Sequence, residues 1–178
     1  YRQLVLINKG SASGVFVGQP VLDANAVMGQ VIWVGPTTAT VLLITDAAHG
    51  LPVRVNRNGL RAVATGTGLV NQLDLSYVPH DADVEEGDLL VTSGLGGRFP
   101  AGYPVARVSE IKRESGQPFA RVRATPNAHL DSGHEVLLVW TLPEAGNREF
   151  APSPRVGEGR GEGAGQAPAA AISSGAAP

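Results

Sequence analysis

The sequence predicts an all-β fold: two small β-barrels related by internal duplication, followed by a disordered tail. Three observations lead there. Short runs of Val, Leu and Ile either alternate with polar residues or continue unbroken, and no stretch of ten or more residues has a period near 3.6. Glycine, proline and aspartate punctuate the runs. The order of these parts also repeats once along the chain.

The elements follow in order. Arg2-Gln-Leu-Val-Leu-Ile7 reads as a strand at the start of the chain. A chain that begins inside an element is expected to be a piece of something longer. Residues 26–34 and 40–45 are nearly continuous apolar runs, suited to strands buried on both faces or lining a barrel. Val53-Arg54-Val55-Asn56 alternates, and Asn58-Gly59 after it predicts a type I′ hairpin, whose two central residues need positive φ. Leu73-Asp74-Leu75-Ser76-Tyr77 alternates too. So does Phe119-Ala120-Arg121-Val122-Arg123-Ala124, with both arginines on one face. Residues 135–140 form a last apolar run. Trp33 and Trp140 lie inside such runs and are expected in the core.

The repeat orders these pieces. Val15-Phe-Val-Gly18-Gln leads to two strands, an Ala47-Ala48-His49 corner and the closing Val53-Arg-Val55. Val84-Glu-Glu-Gly87-Asp leads to two strands, an Asn127-Ala128-His129 corner and the closing Val136-Leu-Leu138. Duplication of a small barrel explains this order, with Gly18 and Gly87 as equivalent turns.

Composition sets the limits. The chain has 178 residues, a formal net charge of −2 and no cysteine. Disulfides, thiolate catalysis and Cys-based zinc sites are thereby removed. No run of Lys and Arg offers a footprint for nucleic acid. The longest apolar run is about six residues, against roughly 20 for a membrane helix. Residues 1–142 are expected to form the folded domain. Residues 143–178 turn to Pro, Gly, Ala and Glu and hold too few large aliphatics to offset ordering entropy, so they are expected to be disordered.

Several runs carry a family likeness: Ile7-Asn-Lys-Gly-Ser11, Gly14-Val-Phe-Val-Gly-Gln-Pro-Val-Leu-Asp23, Val41-Leu-Leu-Ile-Thr-Asp46 and Val55-Asn-Arg-Asn-Gly-Leu-Arg61. The most specific is Gly87-Asp-Leu-Leu-Val-Thr-Ser-Gly-Leu-Gly-Gly-Arg-Phe-Pro-Ala-Gly-Tyr-Pro-Val105, and Glu135-Val-Leu-Leu-Val-Trp140 also fits. They resemble the extracytoplasmic β-domain of the rod shape-determining MreC family, in its Gram-negative form. The likeness runs from Gln3 to Trp140. It implies two six-stranded barrels in an arrangement similar to chymotrypsin-like proteases, without catalysis and without a cofactor. It implies a scaffold of the cell-wall elongation complex that binds a penicillin-binding transpeptidase, the membrane protein MreD and further copies of itself. It also implies a periplasmic domain anchored to the inner membrane through an N-terminal helix that this chain lacks.

The alternative is a serine hydrolase on the same architecture, degenerate or unusual in its active site. Thr45-Asp-Ala-Ala-His49 is similar to the protease segment that holds the histidine, and Ser93-Gly-Leu-Gly-Gly97 to the loop that holds the serine. The register fails, because the protease serine directly precedes a Gly-Gly pair and Leu95-Gly96 stands there instead. His49 and His129 are therefore expected at barrel corners, their rings bonded to backbone carbonyls. A small-ligand barrel is a third reading. His129, Asp131, His134 and Glu135 make a weak zinc cluster, and a solvated turn explains them better. Asp81, Asp83, Glu85 and Glu86 read as a solvated acidic turn. Gly94-Leu-Gly-Gly97 lacks the Lys-Ser/Thr of a phosphate loop. What remains is surface for a partner. Arg98, Phe99 and Tyr103 place two aromatics and an arginine in one loop, the composition of interface hot spots. Phe99 is expected to point inward, with Arg98 and Tyr103 outward.

Overall fold

The computed structural model describes residues 2–131 and 135–140. The expected domain boundary at residue 142, the tail of residues 143–178 and His134 lie outside them. The described residues form eleven strands and one 3-10 turn at Ser11–Ser13. The strands are β1 (Leu4–Ile7), β2 (Pro20–Leu22), β3 (Val27–Val34), β4 (Ala39–Leu43), β5 (Gly50–Val55), β6 (Arg61–Gly66), β7 (Leu73–Ser76), β8 (Leu89–Thr92), β9 (Pro104–Lys112), β10 (Arg121–Pro126) and β11 (Leu137–Leu138). The all-β expectation holds, and so does the alternation of β10, where Val122 and Ala124 are buried between exposed Arg121 and Arg123.

The strands make two units. One is a closed six-stranded barrel in the order β10-β7-β6-β5-β8-β9. The other is a five-stranded sheet, β1-β4-β3-β2-β11, where six strands were expected. Its outer strands, β1 and β11, flank a cleft of about 740 Å³ at the position where β6 closes the other unit.

The duplication is visible atom by atom. Gly18 and Gly87 share a φ of 92°, which a side chain would strain. The Gly18 N–H donates to the Val31 carbonyl at 2.7 Å, and the Gly87 N–H to the Val108 carbonyl at 2.7 Å. The next side chain reaches back to cap the turn: Gln19 Oε1 accepts from the Phe16 N–H at 3.2 Å, and Asp88 Oδ2 from the Glu85 N–H at 3.0 Å. Val15 and Val84 anchor the two turns in the core. The register shift between Val21 and Leu22 in the β2–β3 pair recurs between Leu90 and Val91 in the β8–β9 pair.

Chain order and partnership cross over at the closing strands. β5 follows β4 in sequence but pairs with β8 in the barrel. β11 follows β10 but pairs with β2 in the sheet. Each half thus lends its last strand to the other, and β1 and β7 take matching places beside β4 and β10.

Four expectations need correction. A bulge between Val31 and Trp33 shifts the β3–β4 register, and Trp33 comes out 54% exposed. Trp140 is 57% exposed and donates its indole N–H to the Gly14 carbonyl at 3.3 Å. The Asn58-Gly59 turn is not type I′, because Gly59 has a positive φ and Asn58 does not. The loop is wider, closed by the Val55 N–H on the Leu60 carbonyl at 2.8 Å, with the Asn58 amide on the Asp83 carbonyl at 2.7 Å. Tyr77 does not continue the alternation of β7 inward but is 70% exposed.

Candidate functional site

The β8–β9 connection, residues 93–103, carries the residues singled out from sequence. Thr92, fully buried at the end of β8, holds both ends of it. Its backbone accepts from the Gly102 N–H at 2.9 Å and donates to the Tyr103 carbonyl at 2.8 Å. Its hydroxyl accepts from the Tyr103 N–H at 2.9 Å and donates to the Pro100 carbonyl. The loop tip is drawn tight by the Gly97 N–H on the Gly94 carbonyl at 3.2 Å.

Within this frame the three candidate residues divide. Phe99 points inward, is buried, and sets its ring edge to face against His49 with centroids 6.3 Å apart. Arg98 is exposed at the tip. Tyr103, expected outward, is instead half-buried, because its ring packs against the barrel core. Leu95, 61% exposed, joins Arg98 at the tip. Across from the tip, a cleft of about 470 Å³ is lined by Phe16, Val17, Gln30, Ile32, Gly97 and Arg98. Phe16 and Val17 belong to the Gly18 turn and stay exposed because only Val15 of that turn faces the core. Sequence reading passed over them. Their signal was present, two large apolar residues between a core valine and a turn glycine, but it looked like part of a strand.

The groups of the hydrolase alternative do not meet. His49 is buried with neither ring nitrogen hydrogen-bonded among the described residues. The expected carbonyl partner is absent there because the ring abuts Phe99 and the barrel core. Burial pushes its pKa down to about 4, against a smaller opposing pull from Asp46, so the ring is neutral near pH 7. Asp46 directs its carboxylate to the N–H groups of Gln3 at 2.6 Å and Ala48 at 2.8 Å. Burial acts to raise this carboxyl, but those donors and Arg2 hold it below its usual value. Ser93 accepts from the Leu95 N–H at 3.2 Å. His129 is exposed and sits by the Asn25 amide at 3.0 Å, with Asp23 at 3.7 Å. It does not bond a carbonyl as expected.

The acidic turn holds an arginine. Arg57 forks onto Asp88 at 3.0 Å and Asp83 at 2.8 Å, pinning the β5–β6 loop to the Gly87 turn. Among the described residues no three His, Cys, Asp or Glu side chains gather as a metal site, and no helix is long and apolar enough to cross a membrane. The arrangement presents rigid, partly apolar surface: a braced tip with an arginine, beside an open cleft.

Comparison with known proteins places this framework. The family model of the rod shape-determining protein MreC, barrel core, matches residues 1–140. The cell shape-determining protein MreC of Haemophilus influenzae is 53% identical over 140 residues, covering 79% of this chain and 40% of that protein. The chain therefore spans about two fifths of that relative's length. A crystal structure of MreC from Pseudomonas aeruginosa superimposes with a TM-score of 0.77 at 61% identity, covering 79% of this chain and 90% of that one. The Helicobacter pylori MreC, solved in complex with the penicillin-binding protein PBP2, has the same fold with a TM-score of 0.54 at 24% identity, covering 67% of this chain and 74% of that one. The twin turns, the closed barrel and the match over residues 1–140 agree, and the chain belongs to the rod shape-determining protein MreC family.

Proposed function

We propose that this chain is a non-catalytic scaffold module of the cell-wall elongation complex, which binds and organises a penicillin-binding transpeptidase. The observation that carries the reading is the loop tip: Arg98 and Leu95 are exposed, while Phe99 beneath them is buried and locks the loop in place. A preorganised tip loses little entropy on binding, and arginine beside apolar surface is favoured at hot spots. Arg98, Tyr103 at the loop base and the Phe16–Val17 cleft form the surface we assign to the partner, with Phe99 as its brace. Binding favours whichever transpeptidase state fits this surface better, so the scaffold acts by shifting a population. The complex of the H. pylori MreC with PBP2 supports this choice of partner. In the full-length protein the module sits in the periplasm, tethered to the inner membrane, and contacts MreD and further copies of itself. A solved relative described as the major periplasmic domain of the cell shape-determining filament MreC supports the location and the self-association.

The test separates binding from folding. Arg98→Glu and Leu95→Ala should leave the melting temperature unchanged and weaken the calorimetric Kd for the transpeptidase's periplasmic domain about tenfold. Phe99→Ala should instead lower stability by about 3–5 kcal/mol, as core aromatic truncations do. Unchanged affinity in both surface variants rules out this tip. Stoichiometric labelling of Ser93 by an active-site serine probe rules out the non-catalytic reading.

A further inference from the structure

A second exposed aromatic site lies on the closed barrel, away from the β8–β9 loop. At the end of β7 the ladder with β10 slips by one residue. Leu75 pairs with Val122. Two steps further, the Ala120 N–H donates to the Val78 carbonyl at 2.9 Å, and Pro79 bridges Phe119. Ser76 and Tyr77 together therefore oppose Arg121 alone, which makes a β-bulge. Tyr77 occupies it with a φ of 64°, the only positive φ at a non-glycine among the described residues. A bulge in this conformation usually takes glycine, because a side chain there is strained.

The strain has a visible result. It turns Tyr77 outward to 70% exposure and returns Val78 to the core at 1%. The Tyr77 ring stands edge to face against Phe119, itself 50% exposed, with centroids 6.3 Å apart. The pair borders a cleft of about 500 Å³ whose floor is the β7–β10 seam. A fold that needed only the bulge would be served better by glycine. An aromatic held out in a costly conformation, next to a second one, is a feature of function rather than of stability.

The charges beside the cleft describe its occupant. Arg123 is neutralised by Glu110 at 3.0 Å and Asp74 at 3.8 Å, and Lys112 by Glu110 at 3.0 Å. The Arg121 side chain is exposed and makes no ion pair or hydrogen bond among the described residues, and Glu114 lines a small neighbouring pocket with it. We propose that the Tyr77–Phe119 cleft is a second docking point for the transpeptidase, and that it takes an extended segment with an apolar side chain between the rings and a carboxylate on Arg121. The proposal rests on the scaffold reading above and adds a surface to it. The two arginine-bearing surfaces would hold one partner at two points, which fixes its orientation as a single loop contact does not.

The experiment uses the whole chain and the transpeptidase's periplasmic domain. Tyr77→Gly removes the ring and suits the φ, so its melting temperature should equal or exceed the parent's. Its Kd should weaken about tenfold or more, and Arg121→Glu should do the same without unfolding. A melting temperature that falls in Tyr77→Gly makes the ring a structural element and overturns the proposal. Unchanged affinity in both variants, with the parent and the Arg98→Glu variant behaving as above, overturns this cleft and leaves the scaffold reading standing. A parent chain that fails to bind the transpeptidase overturns both. If the variants change sedimentation of the chain alone while transpeptidase affinity holds, the cleft serves a second copy and the assignment falls.

Discussion

His49 sits behind Phe99 with two ring nitrogens that bond nothing among the described residues, and this has a pH signature. Its folded pKa is about 4, below the ordinary 6.5, because burial disfavours the cation. An unfolded chain therefore binds a proton that the folded one refuses. The contribution of neutral His49 is complete above pH 6.5 and is lost as pH falls toward 4. The loss amounts to about 3 kcal/mol at most, because each tenfold fall in proton affinity is worth about 1.4 kcal/mol. His49→Leu should flatten the stability curve between these limits, as measured by urea unfolding at several pH values. A variant whose curve keeps the parent's slope there assigns the titration to another group. Residues 45–49 gave a misleading signal because the protease-like spacing is a property of a barrel corner. The histidine is placed by its backbone, whose N–H donates to Asp46 and whose carbonyl accepts from Gly66. Phe99 and Tyr77 show the converse. Phe99 could be assigned inward from sequence because a barrel end needs a plug. Tyr77 could not be assigned outward, since its exposure comes from one backbone angle that alternation does not encode.

At the scale of elements, the V-x-x-G-[QD] turn was legible because each position answers a backbone need. Valine anchors, glycine supplies the positive φ, and the last side chain accepts the N–H three residues back. The copies differ at that last position, and the difference titrates. In the Gly87 turn Asp88 also receives Arg57, which, with the Glu85 N–H, holds its carboxyl below the usual value despite partial burial. A carboxylate lowered in this way stabilises the fold above its unfolded pKa of about 3.9, and that stabilisation is lost as pH falls through the folded value. Asp88→Asn should therefore reduce stability at pH 7 and lose less than the parent on acidification below about pH 4. An equal acid response in both proteins would mean that Asp88 carries none of it. The Gly18 turn has the neutral Gln19 in this place and should contribute nothing to acid sensitivity. Bulges were the illegible part at this scale. The shift at Trp33 converts an apolar run that reads as core into one with its largest side chain outside, and no residue type announces it.

The whole molecule is tied together by exchange, because β5 and β11 each close the unit that the other half began. The repeat revealed two equivalent halves but not this crossing, since sequence order is the same whether a closing strand returns to its own half or to its neighbour. The crossing makes the two units unequal as pieces of chain. All six strands of the closed barrel lie in one continuous stretch, Gly50 to Pro126. The five-stranded sheet is discontinuous, with β1 to β4 at one end and β11 at the other. Loop-closure entropy opposes the sheet more than the barrel, since β2 and β11 meet only after the intervening barrel has drawn them together. The core that spans the units, where Leu22, Val27 and Ile44 join the barrel's own Leu51, Leu90 and Phe99, adds stability only once both are formed. A fragment of residues 50–130 should then fold alone, with a cooperative thermal transition below that of the whole chain. A fragment of residues 2–49 should remain unfolded, because it lacks β11 and the barrel surface. Mixing the two should not restore the sheet fully, whereas extending the barrel fragment to residue 140 so that it carries β11 should, as followed by amide exchange of β2 and β3. If residues 2–49 fold unaided, β11 is an accessory strand and the exchange does not couple the halves.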